Sequence, residues 1–208
     1  MQRLSTFSIV GRCERTGQLG VAVSTADVGA GRLVTWARAG VGAVATQSWP
    51  SLYLAIDALD LMASGVGAQV ALDRVLAQDP GRGLRQLGAV DAAGGTTTFS
   101  GDECTDWYGG ATGPGFAAQG NMLLGGETVS AMASSFGTTA ELDLAARLLR
   151  ALEAGQAAGG DTAPAAGLGR GQAAGPGIEA RVVHGSSSSL GPARSHAPRP
   201  SGPRHRRS

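Results

Sequence analysis

The chain has 208 residues at a formal net charge of +1, with 42% hydrophobic and 16% charged residues, which is enough for one domain whose core needs no staples. This near-neutral balance excludes a strong overall field toward nucleic acid or an anionic membrane, so neither is expected as a partner. No apolar run reaches the length of a signal-peptide core or a membrane span, so a cytoplasmic location is expected, and Cys13 and Cys104, which lack CxxC spacing, read as reduced thiols.

Thr6 to Arg12 alternates in size and polarity, and after the turn-like Glu14-Arg15-Thr16-Gly17 a second β-rich run, Leu19 to Thr25, completes a hairpin. A further strand, Val41 to Gln47, leads to Pro50-Ser51, where the Ser51 hydroxyl is expected to cap a helix with Leu52, Ile56, Leu59 and Met62 or Ala63 on its apolar face. Ser64-Gly65 ends that helix, and a second runs from Ala68 to Gln78 before Asp79-Pro80-Gly81. Gln86 to Val90 and Thr96 to Phe99 flank Asp91 to Gly95 as a second hairpin. The polar, Gly-rich stretch Gly101 to Gly115 precedes a short strand, Phe116 to Gln119.

Two helices follow, over Glu127 to Phe136 and Ala140 to Ala154. The second is introduced by the capping-box pattern Thr138-x-x-Glu141, presents Leu142, Ala145, Leu148 or Leu149, and Leu152 on its apolar face, and is closed by Gly155. The domain is expected to span residues 4–161. Residues 162–208 are rich in Gly, Pro, Ser and Arg, lack aromatic residues, and read as a disordered tail apart from a short strand around Ile178 to Val183. Such a composition is also what a GC-rich gene yields when read out of frame.

The residue inventory narrows the chemistry. All three histidines, His184, His196 and His205, lie in the tail, and all 17 basic residues are arginines. A Ser-His-Asp triad, a His-ligated metal, a Ser-Lys pair and Schiff-base chemistry are thereby excluded from the body of the domain. No phosphate-cradling GxxxxGK[ST] or helix-opening GxGxxG occurs, and no cofactor is expected. What remains near neutral pH is a carboxylate, a thiol or the α-amino group of the chain itself, whose ordinary pKa is about 7.7–8.

That inventory suits a hydrolase in which an N-terminal Thr or Ser supplies the nucleophile and its own amine the base. The segments Thr6-Phe-Ser-Ile-Val, Gly20-Val-Ala-Val, Trp36-Ala-Arg-Ala-Gly-Val-Gly-Ala-Val-Ala-Thr-Gln47, Asp79-Pro-Gly-Arg82, Cys104-x-x-Trp107, Gln119-Gly-Asn121 and Ala151 to Asp161 resemble the bacterial family called domain of unknown function 1028, regarded as a member of the N-terminal-nucleophile (Ntn) hydrolase superfamily. The resemblance runs almost continuously from Thr6 to Asp161. It implies an α/β (α+β) fold built as a four-layer αββα sandwich, short of its last strands if the tail is out of frame. It also implies hydrolysis of an amide bond in an unknown small amide or peptide, and leaves a homo-oligomer open. In that family the Thr matching Thr6 follows the initiator Met directly. Here Met1 to Ser5 precede it, so proteolysis or a later start, such as one at Leu4 that leaves a mature Ser5, is required to free a nucleophile at Thr6 or Ser5.

Each candidate has a plainer alternative. Thr6 is also an ordinary β-branched strand residue. Asp27, placed after the second strand to orient the nucleophile, is also a turn residue using its local hydrogen bonds. Asn121, in Gln119-Gly120-Asn121, is assigned the oxyanion with neighbouring backbone amides, against a strand-ending turn. Thr46-Gln47 lines the cleft or caps the following turn. Cys104 is a reactive thiol or a packed one, with neighbouring carboxylates disfavouring its thiolate. Asp102, Glu103 and Asp106 offer oxygen ligands to a hard cation without the EF-hand pattern, and the tail arginines are a solvated basic terminus. The alternative function is a catalytically silent αββα module used for binding or assembly.

Overall fold

The computed structural model describes residues 6–25, 31–160 and 177–183. The first hairpin forms where expected, as β1 (Thr6–Arg12) and β2 (Leu19–Thr25), paired antiparallel with Thr6 opposite Thr25 and Arg12 opposite Leu19. Gly17 supplies the positive φ that its turn requires. A short α1 (Gly31–Val34) leads into β3 (Thr35–Arg38), which pairs with β4 (Gly42–Ser48). After α2 (Leu52–Ala63) and α3 (Ala68–Ala77), β5 (Arg85–Asp91) and β6 (Thr96–Ser100) form the second hairpin. Next come β7 (Gly109–Gly113), β8 (Phe116–Asn121), α4 (Glu127–Thr138), α5 (Leu144–Ala157) and β9 (Gly177–Val183).

The strands make two antiparallel sheets, one ordered β7-β8-β1-β2-β9 and the other β3-β4-β5-β6. Period-2 alternation sorts their side chains between two faces. Phe7, Ile9, Ala22, Phe116 and Ala118 point away from the second sheet and pack against α4 and α5. Val44, Leu87 and Ala89 do the same for α2 and α3 on the other side. The facing residues Val10, Leu19, Val21, Val23, Ala43, Ala45, Val90 and Ala117 fill the space between the sheets. Each helix pair therefore covers the outer face of one sheet.

Several local expectations change. Ser51 stands at the N-cap of α2 but makes no side-chain cap; instead its own amide donates to Thr46 Oγ1 at 3.3 Å, so Thr46 does tie down the turn. The buried face of α2 is Leu54, Ala55, Ala58, Leu59 and Met62, shifted from the predicted stripe because α2 packs on both α3 and β4 and buries a wider arc. The cap of α5 is Asp143, which accepts from Ala146 N at 2.9 Å, whereas Thr138 belongs to the last turn of α4 and donates back to Ser134 O. β3 and β7 are strands that the sequence pattern does not announce. β7 is Gly-Gly-Ala-Thr-Gly, whose side chains carry almost no β signal, and it is held by its register with β8.

Gly155 does not close α5, which runs through it to Ala157. A Cβ there would sit 2.8 Å from Met132 Cγ and 3.3 Å from the Thr128 carbonyl, so glycine is required where α5 crosses α4. In the segment expected as a tail, Gly177–Val183 pairs with β2 along its whole length, with Thr25 opposite Gly177 and Leu19 opposite Val183. The remainder of the tail, and with it the out-of-frame reading, lies outside the described residues. Among the described residues no helix is long and apolar enough to cross a membrane.

A half-buried ion pair closes the approach to β5. Arg85 Nε donates to Asp79 Oδ2 at 2.7 Å and its NH1 to the Trp49 carbonyl at 2.6 Å, joining the end of β4 to the turn after α3. Hydrogen bonding from Arg85 holds the Asp79 carboxyl below its ordinary value against the opposing effect of burial, with the Gly81 amide and the Arg85 charge adding to the lowering. A carboxyl lowered in the folded state stabilises above its unfolded pKa of about 3.9, and that contribution is lost as pH falls through the lower folded value. Asp79→Asn is expected to cost at most about 1 kcal/mol at pH 7, shrinking toward zero in strong acid. Gly155→Leu is expected to cost about 1–3 kcal/mol by overpacking. Urea denaturation of each variant across pH checks both.

Candidate functional site

At one end of the space between the sheets the lining turns from apolar to polar. β1 contributes Thr6 and Ser8, β2 Thr25, β8 Gln119 and Asn121, β4 Gln47 and β5 Gln86, all buried. Gln86 is the hub. Its Oε1 accepts from Gln47 Nε2 at 2.8 Å and from Asn121 Nδ2 at 2.9 Å, while its Nε2 donates to Ser100 Oγ at 2.9 Å and to the Gly120 carbonyl at 2.8 Å. One side chain thus binds β6 of its own sheet and β8 of the other.

Gln47 extends the seam. Its Oε1 accepts from Ser8 Oγ at 2.6 Å, and its Nε2 also lies 3.3 Å from the Thr6 carbonyl and 3.4 Å from that of Gln119. Gln119 Nε2 donates to Ser8 Oγ at 2.7 Å. Its Oε1 has no partner among the described residues and lies directly over Gly88, where a Cβ would be blocked by the Gln119 amide. Glycine at 88 is what lets this side chain cross from one sheet to the other.

Thr6 and Asn121 are cross-strand partners in β1 and β8, and Thr25 faces Thr6 from β2. Thr6 Oγ1 donates to Thr25 Oγ1 at 3.2 Å, and the Thr6 carbonyl is held by Gln47. The structure therefore brings two of the predicted residues, Thr6 and Asn121, together at one strand end. Ser5 and Asp27 lie outside the described residues. The side-chain amide of Asn121 has two hydrogens, one of which is committed to Gln86. Thr6 itself is 0% exposed.

The strands that carry this seam end in unusual backbone. Ser48, just after Gln47, has φ 67°, and Met122, just after Asn121, has φ 55°. Non-glycine residues in the left-handed region cost about 1–2 kcal/mol relative to the right-handed one. Both therefore persist because the surroundings fix them, and such outliers gather at functional sites.

Cys104 is a packed thiol. It donates from Sγ to the Arg85 carbonyl at 3.4 Å, and burial raises its pKa despite opposing hydrogen bonds from Ser48 and the Gly101 amide. Among the described residues no group of three or more His, Cys, Asp and Glu converges to hold a metal ion, so Asp102, Glu103 and Asp106 do not assemble into the cation site weighed above. Ser8 and Gln86 were not singled out from sequence. The usable signal for Gln86 was an uncharged amide at an inward position of an otherwise apolar strand, Gln86-Leu-Gly-Ala-Val.

A family model described as a family of unknown function, DUF1028, matches residues 6–174. The chain belongs to the DUF1028 family. Among solved structures, it is similar to the crystal structure of protein SPO2555 from Silicibacter pomeroyi, itself described as DUF1028, at 31% identity and a TM-score of 0.76, covering 87% of this chain and 74% of that one. Comparison with curated proteins gives no significant match. The DUF1028 match begins at Thr6, the first residue of β1 and the first of the polar seam.

Replacing Gln86 by Leu removes an acceptor for two amides and a donor for at least two oxygens in a dry environment. Each buried polar group left alone costs about 1–3 kcal/mol. Gln86→Leu is therefore expected to lower stability by at least about 2 kcal/mol by the same reckoning, and Gln86→Glu to do so increasingly as pH rises and the buried carboxyl ionises. Equilibrium unfolding of both variants at two pH values checks this.

Proposed function

We propose that this DUF1028 protein is an Ntn-type amidohydrolase whose nucleophile is Thr6, or Ser5 if processing stops one residue earlier. The observation that carries the reading is the pairing of Thr6 with Asn121 at the start of β1, beside a seam of hydrogen-bonded amides. Two sheets face to face, each backed by a helix pair, support this reading, in which an αββα frame carries Thr6 as the nucleophile at the start of its first strand.

In this scheme the Thr6 hydroxyl adds to the amide carbon of the substrate while its freed α-amine takes the proton. The tetrahedral oxyanion is met by the second Asn121 Nδ2–H and neighbouring backbone amides. The amine then returns the proton to the leaving nitrogen, the C–N bond breaks, and a Thr6 ester remains. Water, activated by the same amine, adds to the ester carbon and releases the acid, restoring Thr6. Gln47 acts through position: its hydrogen bond to the Thr6 carbonyl fixes the strand end from which the nucleophile projects. Asp27 would orient the amine.

A second reading, the catalytically silent binding or assembly module, draws on a different observation. Thr6 is fully buried, and two cavities lie away from it, one lined by Arg12, Cys13 and Phe116 and the other by Tyr53, Asp57 and Arg74. A ligand that raises Tm without being turned over would favour this reading.

The two separate in one experiment. N-terminal sequencing and intact-mass analysis of native protein after exposure to a β-lactone are expected to find a free Thr6 or Ser5 carrying the adduct. Thr6→Ala should abolish a Thr6 adduct, and Asn121→Ala should slow acylation by about 100- to 1,000-fold if it supplies an oxyanion donor. A mature N-terminus at Met1 or Gln2, or an unlabelled residue 5 or 6 in folded protein, would overturn the hydrolase.

A further inference from the structure

The cavity at the opposite end of β1 carries an inference of its own, which does not rest on amide hydrolysis. It has a volume of about 700 Å³ and lies where the β1–β2 turn, the loop after β5, the β7–β8 turn and the start of α5 meet. β1 has seven residues, which places this cavity roughly 20 Å from Thr6 along the strand.

Three guanidinium groups line it, from Arg12, Arg15 and Arg147, against one carboxylate, Glu14. Arg147 is 8% exposed. Its NH2 donates to the Phe136 carbonyl at 2.9 Å and its Cζ lies 3.9 Å from the Phe136 ring centroid, yet its Nε has no partner among the described residues. Arg12 Nε is likewise buried, with no partner among the described residues. No described salt bridge reaches any of the three.

Carrying a guanidinium out of water is costly unless an anion repays it, and a ring face with one carbonyl repays only part. Burial pulls the Arg147 pKa below its ordinary value, with Cys13 and Glu141 only partly opposing this. Beside it, burial would raise the Cys13 thiol, but hydrogen bonds from Thr16 and the Arg15 amide, together with the Arg15 charge, outweigh this and bring it below the ordinary value. The local field therefore favours negative charge at this place. Arginines that line one cavity, two of them with a buried Nε lacking a partner among the described residues, match a phosphoryl dianion better than a single carboxylate, since each guanidinium presents a fork of donors. The volume exceeds what an inorganic ion needs and falls in the range of small-molecule sites, and Ala93, Pro114, Phe116 and Ala140 supply an apolar wall.

We propose that this cavity binds a phosphate monoester, with the phosphoryl group held by Arg12, Arg15 and Arg147 and the organic portion against Pro114 and Phe116. Phenyl phosphate is the probe, titrated calorimetrically into the full chain at fixed ionic strength, with inorganic phosphate and benzoate as comparators. Saturable binding of phenyl phosphate, tighter than either comparator, is expected. Arg12→Gln combined with Arg15→Gln, which keeps a polar side chain at each position, should weaken it about tenfold or more while circular dichroism stays unchanged. Arg147→Lys, which keeps the charge but loses the fork, should weaken it while circular dichroism stays unchanged. Absence of saturable binding, binding unaltered in the double variant, or equal binding of inorganic phosphate or benzoate would each overturn the proposal.

Discussion

The amide of Gln86 is the joint on which the two sheets depend. Away from the amide seam they meet through small apolar side chains, which fix spacing but allow sliding, since dispersion and burial have little directionality. Gln86 uses both lone-pair directions of its oxygen and both hydrogens of its nitrogen, on groups from β4, β6 and β8. A displacement of one sheet by even an ångström would break several of these bonds in a place water does not reach. The seam therefore trades the tolerance of an oily interface for a single register.

That register sets the relation between β1 and its neighbours at the strand end where Thr6 lies. The Thr6 carbonyl is held across the interface by Gln47, its hydroxyl meets Thr25, and its cross-strand neighbour Asn121 is anchored to Gln86. A strand end would ordinarily fray, but here it is clamped on three sides. The left-handed residues Ser48 and Met122, just past Gln47 and Asn121, are the backbone cost of ending both strands abruptly beside the clamp.

Much of this was legible beforehand, for identifiable reasons. The hairpins β1–β2 and β5–β6 announce themselves because their β-branched residues alternate and their turns carry Gly17 and Gly94 at positive φ. β7 was hidden because a glycine-rich strand takes its conformation from its partner, information that no local window contains. The face of α2 was misjudged because a helix packed on two elements buries a wider arc than a single stripe. Gly155 read as a terminator, while its true role depends on Met132, 23 positions earlier in the chain. Thr6 and Asn121 could be nominated from sequence motifs. Their meeting in one cross-strand pair, and the amides beneath them, are products of tertiary register that sequence spacing does not encode. The arginine-lined cavity escaped notice for the same reason, since its residues come from four separate connections.

β9 has a consequence of a different kind. β2 is buried along its whole length and, without β9, would pair on one side only. Its other edge would then present a row of open amides and carbonyls beside Leu19, Val21 and Val23, a ready template for strands of other molecules. β9 moves the rim of the sheet outward to a strand bearing an exposed arginine, Arg181, the kind of charge that discourages edge-to-edge growth. The seven residues from Gly177 to Val183 therefore act as a cover against self-association, and a chain cut before them would be expected to lose solubility before it lost its helices.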